Sequence, residues 1–135
     1  LTAIGRRRFR ILERIPGGDG FDTAEIELLP DTRRPADDVD GVLHRLGDRA
    51  TAHLCLLLEL LGRPIPELPE LPDALSFAVL LAAPLDPTDQ QRLLAIDDTA
   101  QRLRAEIAAL QRERHLLGQF RAGPRQGPII VPPAN

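Results

Sequence analysis

Hydrophobic and polar residues alternate over the first thirty positions and then change period. Phe9 and Ile11 face one way while Arg8, Arg10 and Leu12 face the other, the period of two that marks a half-buried strand. A second strand is expected from Phe21 to Leu29, with Ala24, Ile26 and Leu28 on one face and Thr23, Glu25 and Glu27 on the other. Between them Pro16-Gly17-Gly18-Asp19-Gly20 is a dense turn signal, since glycine supplies positive φ and proline fixes its own. Pro30 stops the second strand. Two strands alone are marginal in water and need more strands or a helix layer. Leu1 is therefore expected to begin inside a sheet.

From Pro35 the period becomes 3.6. Val39, Val42, Leu43, Leu46, Ala50, Leu54, Leu57, Leu58 and Leu61 form one stripe, a long amphipathic helix closed by Gly62. Its acidic first turn (Asp37, Asp38, Asp40) suits the positive end of the helix dipole. Leu54–Leu61 is apolar nearly all round, which predicts cover on more than one side and places this half between the β-layer and the other helices. Four prolines in Arg63–Pro72 exclude helix interior. Asp73 is expected to cap a short helix from Ala74 to about Ala83. Asp86-Pro87-Thr88-Asp89 starts another, ending near Ile96. A last helix begins at Asp97 or Asp98, carries Ala100, Leu103, Ile107, Leu110 and Leu117, and stops at Gly118. The expected organisation is α+β: strands in 1–34, a four-helix bundle in 35–118, and a proline-rich, disordered tail in 119–135.

Composition then removes chemistries. The 135 residues include 17 basic ones, all arginine, against 20 acidic ones, for a net charge of -3. Without lysine there is no Schiff-base amine, no phosphate-loop lysine and no Ser–Lys pair. One cysteine, Cys55, excludes an internal disulfide and a cysteine-based zinc cage. Arginine, leucine and alanine in such excess over lysine, asparagine and tyrosine point to a G+C-rich bacterial genome. No apolar run approaches the ~20 residues of a spanning helix, so a cytoplasmic protein without membrane contact is expected. The start at Leu1, with no methionine anywhere, suggests a missing N-terminus.

Two stretches resemble a known family. Gly5-Arg6-Arg7-Arg8-Phe9-Arg10-Ile11, followed by Gly20-Phe21 and Ala24-Glu25-Ile26-Glu27-Leu28-Leu29-Pro30, is similar to the hairpin segment of Lon substrate-binding domains. Ala74-Leu75-Ser76-Phe77, Leu85-Asp86-Pro87, Gln91-Arg92-Leu93-Leu94, Asp98, Arg102-Leu103, Ile107 and Leu110 follow that family's helical pattern. The resemblance implies the C-terminal part of such a domain: strands of a small PUA-like pseudo-barrel, then helices, with earlier strands absent. It also implies non-catalytic recognition of protein or peptide segments, with a protease or chaperone as a further partner. The ATPase module and Ser–Lys protease of the full enzyme are not expected here.

Particular residues sharpen these expectations. For protein contact the candidates are Phe21, Leu56, Leu60 and the tail residues Ile129, Ile130 and Val131, three β-branched side chains between prolines that would suit an added strand. They are expected around an apolar groove between the β-layer and the helices. Arg6, Arg8 and Arg10 share a face and form the alternative, an RNA-binding surface. Residues 1–35 nevertheless carry a net charge of only +1, from seven arginines against six acids. Glu25 and Glu27 can pair with the arginines across the hairpin, and no aromatic stands on that face to stack a base. His53 and Cys55, two apart on a helix, cannot chelate together. Asp37–Gly41 lacks the alternating acids of a calcium loop, and Cys55 reads as a small buried hydrophobe. Ser76, the one serine, is expected to be an exposed or back-bonding helix residue. No catalytic residue, metal or cofactor is expected.

Overall fold

In the computed structural model, residues 7–18, 20–30, 41–121 and 133–134 are described. Strands β1 (Arg8–Ile15) and β2 (Thr23–Leu29) form an antiparallel hairpin. Helices α1 (Val42–Leu60), α2 (Pro72–Ala82), α3 (Pro87–Leu94) and α4 (Thr99–Arg121) follow, so the chain is α+β in that order.

The helices hold the core. α1 turns Leu43, Leu46, Ala50, Leu54, Leu57 and Leu58 inward, against Leu75, Val79 and Leu80 of α2 and Leu103, Ile107 and Leu110 of α4. These are the positions that the 3.6 period selects. α1 lies beside α4, and both run the same way: His53 meets Gln111 near the middle, and Leu60 meets Arg121 at the C-terminal end. Gly47 lets α1 and α2 come close, because a Cβ there would stand 2.8 Å from Leu75 Cδ2. Gly62, at φ +64, takes the left-handed conformation that ends α1 and that side chains disfavour.

Helix boundaries differ from expectation in three places. α2 starts at Pro72, with extended Leu71 as its cap residue. Asp73 instead accepts a hydrogen bond from Thr99 Oγ1 at 2.7 Å and so links α2 to α4. α3 ends at Leu94, before the expected Ile96. α4 runs through Gly118 to Arg121, since Arg121 donates to the Leu60 carbonyl and ties the last turn to α1. Pro35–Asp40, including the acidic turn, lie outside the described residues.

Asp86 caps α3 as the sequence predicts. Its carboxylate accepts from the backbone N–H of Thr88 at 2.8 Å and Asp89 at 3.0 Å. The bond from Asp89 is the main cause holding its pKa below the usual carboxylate value. A depressed folded-state pKa means that the cap stabilises above the ordinary carboxylate range and is lost as pH falls through the folded value. Asp86→Ala is therefore expected to lower the melting temperature at neutral pH but not in strong acid, whereas Asp86→Asn keeps most of the cap. Thermal melts of the three proteins at both pH values check this.

Candidate functional site

The hairpin stands apart from the helical core. Its register pairs Arg8 with Leu29, Phe9 with Leu28, Arg10 with Glu27 and Ile11 with Ile26. Alternation then gathers Phe9, Ile11, Ile26 and Leu28 on one face. Each is about half exposed, between 46% and 53%. A pleated sheet normally buries such a face against another layer. Here it is open among the described residues, and so is the 81% exposed Phe21 beside the turn.

On the other face Arg10 donates to Glu27 at 3.3 Å, the expected cross-strand pair. Glu25 has no such arginine among the described residues. The register shifts by one between Ile11 and Glu13, leaving Leu12 without a counterpart and setting Glu13 opposite Glu25. The same bulge moves Ile15 to the polar face and Arg14 to the apolar one.

Arg8 anchors the hairpin to the helices. It is 5% exposed, while every other residue of the two strands except half-buried Leu29 is exposed. Its Nη1 donates to the carbonyls of Leu94 and Ile96 and to Asp97 Oδ1, each at 3.1 Å, and its Nη2 donates to the Pro30 carbonyl at 3.0 Å. The β-layer is thus seated on the α3–α4 connection. It does not cover α1, as the apolar run Leu54–Leu61 suggests, and one side of that run meets solvent through Leu56 and Leu61.

A second arginine lies beneath this anchor. Arg102 of α4 is fully buried, with its guanidinium 4.4 Å from the ring centroid of Phe77. Its Nε donates to Ser76 Oγ at 2.7 Å and its Nη1 to the Ile96 carbonyl at 2.7 Å. Ser76 in turn donates to Glu106 Oε1 at 2.6 Å. Ser76 is therefore neither exposed nor back-bonded to its own helix; at 0% exposure it is a buried polar link that substrate cannot reach. Burial pushes the Glu106 carboxyl up to about 8, against the opposing pulls of the Ser76 hydrogen bond and the Arg102 charge. Glu106 Oε2 is buried without a hydrogen-bond partner among the described residues, which suits a neutral acid better than a carboxylate.

The remaining candidates do not converge. The hairpin is seated near the start of α4, and Leu60 lies at its end, about 33 Å away at 1.5 Å per residue. Phe21 adjoins the hairpin turn, whereas Leu56 and Leu60 stand on α1. Leu61, Leu116 and Phe120 are further exposed apolar residues near the C-terminal ends of α1 and α4. Arg6, Ile129, Ile130 and Val131 lie outside the described residues. His53 Nε2 is 3.1 Å from Gln111 Nε2, and burial, then Arg114 and Arg49, lower its pKa. Cys55 is half-buried rather than buried. Among the described residues no three His, Cys, Asp or Glu groups gather as metal ligands, and no helix is long and apolar enough to cross a membrane.

Sequence reasoning missed Arg102 and Glu106 as a buried pair. Their signal was present, because Thr99, Arg102 and Glu106 follow one another at helical spacing beside Leu103, Ile107 and Leu110.

No curated protein matches the chain. The family model of the ATP-dependent protease La (LON) substrate-binding domain matches residues 1–112, taking in the hairpin, the Arg8 anchor and the buried Ser76–Arg102–Glu106 line. That model describes the part of the protease that binds substrate and is itself non-catalytic. The match over residues 1–112 makes this chain a member of the Lon substrate-binding domain family.

Proposed function

We propose that the chain recognises protein substrates by holding extended apolar segments on the open face of the hairpin. The observation that carries this reading is the alignment of Phe9, Ile11, Ile26 and Leu28, half exposed and in register, on a sheet of two strands among the described residues. An extended segment presents alternate side chains at the same period, and the outer strand edges offer backbone groups to pair with it. Burying the exposed half of four such side chains is worth about 4 kcal/mol in all, on a scale of 1.5–3 kcal/mol per whole side chain. Part of this is lost to ordering the segment, so one hairpin binds weakly and with little sequence preference. Phe21 extends the surface at the turn.

The RNA-binding alternative has less support. Arg8 is committed to four acceptors inside the molecule, and Arg10 is paired with Glu27. A cytoplasmic bacterial setting and a PUA-like origin for the β-layer fit the reading without being needed for it.

The test uses a fluorescein-labelled, reduced and carboxymethylated polypeptide that stays unfolded. Its anisotropy is expected to rise as the protein is added. Ile11→Asp combined with Ile26→Asp should weaken the interaction at least about tenfold, the equivalent of 1.4 kcal/mol, with helical circular dichroism unchanged. Equal binding by the variant would overturn the hairpin as the site. Binding of a single-stranded RNA at low salt, lost on adding salt, would favour the alternative.

A further inference from the structure

A single line of hydrogen bonds runs from the middle of α4 to the hairpin. Glu106 Oε1 accepts from Ser76 at 2.6 Å, and Ser76 Oγ accepts from Arg102 Nε at 2.7 Å. Arg102 Nη1 donates to the Ile96 carbonyl at 2.7 Å, and that same oxygen accepts from Arg8 Nη1 at 3.1 Å. Two guanidinium groups, one from the core and one from the β-layer, thus share one acceptor. Two cations meeting at one oxygen repel, and each is steadied on its far side. Asp97 Oδ1 accepts from Arg8, while Thr99, which donates to Asp73, stands 3.5 Å from Arg102 Nη2.

We infer that Ser76, Arg102 and Glu106 are positioning residues for the hairpin. Their buried line fixes the direction of the Ile96 carbonyl, and with it the seat of Arg8. The physical reason is the sparseness of the joint. Close packing of elements occurs within the hairpin and among the helices, and Arg8 is the one buried residue among the described residues of the two strands. A rotation of the Ile96 peptide is therefore passed to the strands through Arg8, which the Leu94 and Pro30 carbonyls and Asp97 hold as well. The core reaches this peptide through Arg102, whose orientation is held by Ser76 at one end and the Phe77 ring below. The consequence for substrate rests on the proposed role of the hairpin face, because the line would set where that face points. The coupling itself needs no substrate.

The experiment measures it directly in the full chain. With Cys55 replaced by serine, spin labels are placed at Glu25→Cys on β2 and Arg104→Cys on α4, both exposed positions, and their distance distribution is recorded by pulsed electron paramagnetic resonance. Arg8→Ala is expected to broaden the distribution roughly twofold, as local release of a joint does. Ser76→Ala should broaden it in the same direction, Ser76→Thr, which restores a hydroxyl, should narrow it again, and the Arg8→Ala/Ser76→Ala double variant should be no broader than Arg8→Ala alone. This non-additivity is the mark of one shared path. If Ser76→Ala does not fold, Ser76→Val, which has the shape of the threonine variant without its hydroxyl, is judged by the same criterion. A distribution that stays narrow in the Ser76 variant while Arg8→Ala broadens it would overturn the inference, as would a narrow distribution in both. Neither result bears on whether the hairpin face binds protein, which the anisotropy assay decides separately.

Discussion

Arg102→Leu is expected to lower the unfolding free energy by about 3–5 kcal/mol, the range for removing one partner from a buried charged network. In a domain whose total stability is of the order of 5–15 kcal/mol, that is the difference between a folded and a partly unfolded population. The loss has several sources. Ser76 Oγ and the Ile96 carbonyl lose a donor at 2.7 Å, and Phe77 loses the cation above its ring. Leucine also leaves part of the guanidinium volume unfilled. Urea unfolding followed by circular dichroism measures the change. Replacing Ser76 and Glu106 together with Arg102 by apolar residues should recover much of it, since a network removed whole leaves no orphaned groups. A loss under about 1 kcal/mol for Arg102→Leu alone would mean that the network contributes little to stability.

Glu106→Gln is expected to flatten the dependence of stability on pH. The folded-state pKa, about 8, lies above the ordinary 4.5 because burial penalises the charged form. Between those values the folded state binds more protons than the unfolded one, so stability falls as pH rises from 4.5 to 8 and is level above. The fall for wild type is a few kcal/mol, at most roughly 5. Glutamine keeps an acceptor for Ser76 and has no proton to lose. His53, whose pKa is lowered, acts in the opposite sense, losing stability as pH falls below 6.5. Comparing the two proteins at each pH cancels that contribution. Urea midpoints that converge at acid pH and separate at alkaline pH, with Glu106→Gln the more stable, are the expected result; parallel curves would place the titration elsewhere.

Much of this architecture can be read along the chain, and the reason is periodicity. The stripe Leu43, Leu46, Ala50, Leu54, Leu57, Leu58 is both the 3.6-residue pattern and the buried face of α1. Asp86-Pro87 announces the start of α3 because cap chemistry is local. What periodicity cannot supply is the identity of a partner distant in sequence. Ser76 meets Glu106 thirty residues away, and Arg8 meets Ile96 eighty-eight residues away. Arg102 and Glu106 look like polar gaps in an apolar stripe until their partners are known. Leu12 carries no glycine to advertise the bulge that sets Glu13 against Glu25. The hairpin face was legible as Phe9, Ile11, Ile26 and Leu28, but alternation marks such a face as core. Leu56 and Leu60 stand instead on a run whose all-round apolar character points to a groove between the β-layer and the helices. Arg8 seats the β-layer on the α3–α4 connection, away from that run.

The most direct test of the hairpin as the recognition surface is a methyl-resolved nuclear magnetic resonance titration with the unfolded carboxymethylated polypeptide. Shifts concentrated on the methyl groups of Ile11, Ile26 and Leu28, with Leu54 and Leu103 in the core unchanged, are the result the hairpin site requires. Shifts confined to Leu56, Leu60 and Leu116 at the far end of the helices would contradict it.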